Sequence, residues 1–229
     1  MKTIGLIGGI SWVSTIDYYR IINEQINRRL KGFNAGKIIL YSVNYGKIKE
    51  LTDQERWDDI TDLVIDAARK LEAAGADCLI IGANTMHRIA PAVQQAINIP
   101  LLHIAEVTAV EIEKQQLTTV ALLGTKYTME LDFFTGKLSS RGITAIIPDA
   151  ADRAYINAAI YNEMGRDLFL PETKAIFLNI MSVLQQNGAQ GIILGCTEIP
   201  LLIKQSDFEL PLFDTTFLHA SAAVEFALE

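Results

Sequence analysis

Cysteine is scarce: two in 229 residues, Cys78 and Cys196. So few thiols exclude a disulfide framework and a Cys-rich zinc module. They leave two structural thiols, or one reactive and one structural. Basic charge is short as well, with 20 Lys+Arg against 27 Asp+Glu and a net charge of −7. Phosphate backbones and anionic membranes both select basic faces, so neither nucleic acid nor membrane is an expected partner. No apolar run approaches the ~18–20 residues of a membrane span. The start, MKTIGLIGGISW, lacks the long apolar stretch and small-residue cleavage site of a signal peptide and reads as a first strand. A cytoplasmic setting follows as the expectation.

Catalytic signatures are missing too. The histidines, His87, His103 and His219, have no H-E-x-x-H spacing. Each reads as structural or hydrogen-bonding, and no metal site is expected. There is no Walker P-loop and no G-x-S-x-G elbow. Gly5, Gly8 and Gly9 do not reproduce G-x-G-x-x-G, which disfavours a nicotinamide cofactor.

What is present is apolar material: 50% of residues, enough for a substantial core. Short apolar runs at 3–8, 37–43, 77–82, 118–124, 143–147 and 190–195 lack alternation, as expected of parallel strands covered on both faces. Between them, 14–31, 52–74, 86–97, 104–116, 128–141, 152–164 and 172–187 read as amphipathic helices. The alternation predicts an α/β fold with parallel sheets.

The chain also repeats itself. Gly75-Ala76-Asp77-Cys78-Leu79-Ile80-Ile81-Gly82 matches Gly188-Ala189-Gln190-Gly191-Ile192-Ile193-Leu194-Gly195 at an offset of 113 (75 to 188). The strand end at Gly8 matches that at Gly124 at 116, and Ile99-Pro100-Leu101-Leu102 matches Leu210-Pro211-Leu212-Phe213 at 111. Three ordered matches predict two pseudo-symmetric Rossmann-like halves. Residues 1–99 with 210–229 are expected to form the first domain and 100–209 the second. Ligands of such sheets bind beyond the carboxyl ends of the strands, here expected in the cleft between the halves.

Those strand ends hold the candidate residues. Gly8-Gly9-Ile10-Ser11 opens a helix and reads either as an anion cradle or as an ordinary capped turn. Asn44-Tyr45-Gly46 supplies polar contacts or a plain turn. Thr125 and Thr128 bind a carboxylate or cap a helix. Gly82-Ala83-Asn84-Thr85-Met86-His87 and Gly195-Cys196-Thr197-Glu198 close the repeated strand. Cys196 sits at the exit, where a helix N-terminus is expected to lower its pKa. Cys78 lies inside the strand, the usual place of a structural thiol.

On these motifs the chain resembles the aspartate/glutamate racemase family, which is related to hydantoin racemases. The resemblance rests on Ile4-Gly5-Leu6-Ile7-Gly8-Gly9-Ile10-Ser11-Trp12, Asn84-Thr85-Met86-His87, the Gly-Thr and second Thr within 120–128, and Gly195-Cys196-Thr197-Glu198. It implies a two-domain enzyme, usually a homodimer, that racemises an acidic amino acid without pyridoxal phosphate or another cofactor. Two strand-end cysteines would flank the α-carbon, one removing and one returning a proton. Asn84, Thr85, Thr125, Thr128, Thr197 and Glu198, with Ser11 and Tyr45, would bind substrate. Cys196 would serve the L-enantiomer.

One position departs. The partner cysteine should precede Asn84-Thr85, where this chain has Ala83, and the repeat offset also leads from Cys196 to residue 83. Cys78 is five residues earlier, roughly 16 Å along an extended strand. Three readings stand: an engineered Cys→Ala or Thr→Ala change, a natural variant in which water or a neighbouring group such as His87 or Glu198 replaces the missing acid, or a protein that binds an acidic amino acid without turnover. A related Cys-dependent isomerase or decarboxylase is a further alternative. Lys47 and Lys126 are the cations nearest the candidate loops.

Overall fold

The computed structural model describes residues Met1–Glu229. In chain order the elements are β1 (Ile4–Gly8), α1 (Trp12–Leu30), β2 (Ile38–Ser42), α2 (Tyr45–Asp53), α3 (Trp57–Ala73), β3 (Cys78–Ile81), a 3-10 turn (Thr85–Ile89) and α4 (Ala90–Gln95). There follow α5 (Ile104–Lys114), β4 (Thr119–Gly124), α6 (Lys126–Glu130), α7 (Asp132–Ser139), β5 (Thr144–Ile146), α8 (Ala150–Asn162) and α9 (Pro171–Gln186). The chain ends with β6 (Ile192–Gly195), α10 (Ile199–Leu202), β7 (Leu212–Asp214) and α11 (Thr215–Leu228). No helix is long and apolar enough to cross a membrane.

Two compact units emerge: Met1–His103 with His219–Glu229, and Ile104–Leu218. In the first, the all-parallel sheet runs β2-β1-β3. Leu101 adds a single parallel bridge to Leu79 at the outer side of β3. Ile7, Leu79 and Ile81 face one core with Ile48, Leu51, Ile60 and Val64 of α2 and α3. Ile4, Leu6, Cys78 and Ile80 face the other, against Tyr18, Ile22 and Ile26 of α1 and Ala220, Ala223 and Val224 of α11. Burial on both faces explains why these strands read as unbroken apolar runs.

The second unit repeats the plan, with the parallel order β5-β4-β6-β7. One core joins Ala121, Leu123, Ile192 and Leu194 to α8 and α9 through Ile156, Ile160, Phe177 and Ile180. The other joins Val120, Leu122 and Ile193 to α5 and α7 through Ile104, Ile112, Phe134 and Leu138. Leu212, the repeat mate of Leu101, pairs with Ile192, the mate of Leu79.

The unit boundaries differ from those expected. Pro100 O accepts from Leu79 N–H, which holds 100–103 to the first sheet. β7 pairs with β6, which keeps 212–214 in the second. The 52–74 helix is two: α2 ends, Glu55 takes φ 55°, and α3 begins at Trp57. The 128–141 helix likewise breaks at Leu131, which is extended.

Candidate active site

The expected residues of each unit gather at the carboxyl edge of its own sheet. In the first unit three strand ends lie side by side. Val43 N–H bonds to Gly8 O and Gly82 N–H to Ile7 O, at 2.9 Å each. That places the segments carrying Ser11, Tyr45 and Ala83-Asn84-Thr85 on adjacent strand exits. Gly9 has φ +80°, and a Cβ there would stand 2.2 Å from Val43 O, so only glycine fits this turn. Thr15 pins it: its hydroxyl accepts from Gly9 N–H at 2.8 Å and donates to Ser11 O at 2.7 Å. The buried Ser11 hydroxyl does not cap α1, contrary to the plain capped-turn reading. Tyr45 is half-buried and starts α2 behind Asn44, whose side chain accepts from Gly46 N–H.

Ala83, Asn84 and Thr85 are buried. Ala83 N–H bonds to Ile81 O at 2.8 Å, and Ala83 O accepts from His87 Nδ1 at 2.9 Å. His87 is fully buried, and burial above all, with His103 beside it, pulls its pKa down to about 3. The ring is therefore neutral, and its Nδ1 proton is committed to the main chain. It is not a ready proton donor at position 83.

In the second unit, Gly124 and Gly195 are register partners, so Thr125 and Cys196 leave the sheet on neighbouring strands. A Cβ on either glycine would lie 2.7 Å from a carbonyl oxygen. Thr125 Oγ1 caps α6, accepting from Thr128 N–H at 3.3 Å, and lies 3.2 Å from Thr128 Oγ1. Thr128 is fully buried against Gly124 and Gly195, so it holds Thr125 and the strand ends in place. Lys126 is exposed; Lys47 is exposed and paired with Glu50.

Cys196, Thr197 and Glu198 form one buried cluster. Cys196 Sγ donates to Glu198 Oε2 at 3.0 Å, and Thr197 Oγ1 donates to the same oxygen at 3.0 Å. Burial first, then the Glu198 charge, raises the Cys196 pKa well above its ordinary value. The expected helix-lowered thiol is thus corrected. α10 is a single turn starting at Ile199, and the carboxylate beside the sulfur outweighs it. At rest Cys196 is a thiol with a proton acceptor already aligned. Cys78 is fully buried inside β3, where burial and then Asp77 push it up to about 12. No cluster of His, Cys, Asp and Glu is arranged to hold a metal.

Comparison with known proteins identifies the family. The sequence model of the Asp/Glu/hydantoin racemase family matches residues 7–223. The chain belongs to that family. A candidate Asp/Glu racemase from Yersinia pestis is 44% identical, covers 100% of both chains and superposes with a TM-score of 0.93. An aspartate racemase homologue from Pyrococcus horikoshii OT3 is 33% identical, again over 100% of both, with a TM-score of 0.85. The broad-specificity amino-acid racemase RacX of Bacillus subtilis (strain 168) is 29% identical over 167 residues, 73% of this chain and 72% of that protein. The fold is the two-domain α/β fold of this family, whose members are isomerases acting on small amino-acid substrates.

Sequence reading did not find the pairing of Glu198 with the thiol, because two residues apart in sequence does not say which way either side chain turns. Nor did it find the contacts among His87, His103 and His219. The His87 ring centroid lies 4.7 Å from that of His103 and 5.4 Å from that of His219.

Proposed function

We propose that this chain moves the α-proton of an acidic amino acid without a cofactor, with Cys196 as its reacting thiol and Ala83 at the place of the missing partner. The observation carrying this is the Cys196–Glu198 pair at the β6 exit, with Sγ and Oε2 3.0 Å apart and both residues buried. On this reading Glu198 is first a proton acceptor. The S–H proton passes to Oε2, and the thiolate then takes the α-proton, breaking C–H and forming S–H. The electron pair left on the α-carbon spreads into the α-carboxylate. Aimed donors stabilise that charge. Ser11, Tyr45, Asn84, Thr85, Thr125 and Thr197 are proposed for binding, with Thr128 holding Thr125.

The same thiol returns the proton to the face it left. Inversion needs a donor on the other face, which the Ala83 methyl cannot be and neutral His87 is not placed to be. Family likeness assigns Cys196 to the L-enantiomer. In D₂O, NMR should therefore show the α-proton of L-aspartate or L-glutamate exchanging faster than the amino acid inverts. Equal exchange of both enantiomers with full racemisation would refute the one-thiol mechanism. A chain with Ala83→Cys should gain inversion; no gain counts against residue 83 as the partner position. The proposal also carries a cytoplasmic location and a homodimer.

A second reading, binding without turnover, draws support from the same methyl group and from the protonated resting thiol. Saturable binding of L-glutamate by calorimetry, with no deuterium incorporation between pH 6 and 10, would favour it.

A further inference from the structure

The two strand exits differ in what holds their reacting residue. In the second unit Cys196 O accepts a main-chain hydrogen bond from Ile199 N–H at 3.1 Å. At the repeat offset, Ile199 corresponds to Met86 and Pro200 to His87. Pro200 carries no side-chain donor. In the first unit the corresponding carbonyl, Ala83 O, is held instead by the imidazole of His87 at 2.9 Å. The chain there turns as a 3-10 segment, with His87 N–H bonded to Asn84 O at 3.0 Å. A side chain thus does for residue 83 what the backbone does for residue 196.

That imidazole is itself fixed from behind. It packs edge-on against His103 and His219. His219 is locked at both nitrogens: Nε2 lies 2.7 Å from Leu102 O, and Nδ1 lies 2.9 Å from Tyr18 Oη. Leu102 O can only accept, so Nε2 carries the proton, Nδ1 accepts, and Tyr18 donates. All of these bonds are satisfied with neutral rings. Tyr18 on α1, His219 on α11 and the Leu102–His103 segment, all in the first unit, converge on one ring that grips the residue-83 peptide.

We propose that His87 is a positioning residue: its Nδ1–H, backed by His219 and Tyr18, sets the direction in which the side chain of residue 83 leaves β3. This rests on residue 83 being the partner position in the proposed function. Any proton donor at 83, native in relatives or introduced here, would depend on that ring for its aim.

The test first reads orientation without turnover. In the full chain with Ala83→Cys and Cys196→Ser, the only other thiol is the fully buried Cys78. The rate of iodoacetamide alkylation against pH then reports the thiol introduced at position 83. Adding His87→Leu should change that rate by about tenfold or more, since displacements near 1 Å matter at such sites. His87→Asn puts an amide N–H where Nδ1 was and should stay within about threefold, whereas His87→Gln puts it where Nε2 was and should behave like Leu. Identical rates and pH midpoints for the parent and Leu chains overturn the proposal. If the Leu chain does not fold, equal behaviour of Asn and Gln overturns it instead. A second arm keeps Cys196 in the Ala83→Cys chain and follows both enantiomers in D₂O. His87→Leu should lower the ratio of D- to L-exchange, while a merely structural role lowers both alike and refutes positioning. If Ala83→Cys shows no D-exchange at all, the partner-position reading fails, and the alkylation rates still decide the role of His87.

Discussion

Glu198 acts on Cys196 in two opposite senses. Its carboxylate accepts from the sulfur at 3.0 Å, and its charge also raises the thiol pKa. Replacing Glu198 by Gln separates these effects. Removing the negative charge lowers the Cys196 pKa, so the pH midpoint of its alkylation should move down. Removing the base, since an amide oxygen accepts a hydrogen bond but does not take the proton, should slow L-substrate exchange by about 100-fold, in the range for a positioned base. A lower alkylation midpoint with undiminished exchange would show that Glu198 takes no proton. Burial remains the larger cause of the shift, so the midpoint should stay above that of an exposed cysteine.

At the scale of elements, the carboxyl edge of the second sheet depends on close approach of two backbones. Gly195→Ala would put a methyl 2.7 Å from Leu123 O and 2.8 Å from a Leu122 methyl. Overpacking of this kind costs about 1–3 kcal/mol, so the urea midpoint should fall accordingly. An unchanged midpoint would show that the strands part without penalty. The paired glycines also mark what sequence could reveal. Short apolar runs announce β1 to β6, of which β1, β3, β4 and β6 are buried nearly throughout while the edge strands β2 and β5 are partly exposed, and the 113-residue repeat alone pairs Ala83 with Cys196. Three elements, β7, α10 and α2, are harder to read. β7 and α10 are too short for a period to show, and α2 follows β2 behind a turn that ends in Asn44 and looks complete by itself. The split at Glu55 rests on a left-handed φ at a residue with no glycine signal. Side-chain direction was not legible at all, which is why Glu198 read as a substrate contact, and why Tyr18 and His219, 201 residues apart, gave no hint of meeting.

Over the whole molecule, titratable burial is uneven. All three histidines lie in the first unit and none in Ile104–Leu218. His87 and His219 are both pulled to about 3, first by burial and then by a neighbouring imidazole. An unfolded histidine titrates near 6.5. Between those values the unfolded chain binds more protons than the folded one, so stability rises with pH across that window. It is fully present above about 6.5 and drains away as pH falls toward 3. Each histidine contributes a slope of up to about 1.4 kcal/mol per pH unit. Both tryptophans, Trp12 and Trp57, also belong to the first unit, so their fluorescence reports it selectively. Urea titrations followed by tryptophan emission should show the midpoint falling steadily from pH 7 to 4. His219→Gln keeps an amide donor near Leu102 O but removes one titrating ring, so its midpoint should fall less steeply over the same range. It should start lower at pH 7, because Tyr18 loses its acceptor. Parallel slopes for the two chains would show that the buried histidines are not what acid acts on, and that the first unit gives way at its carboxylates instead.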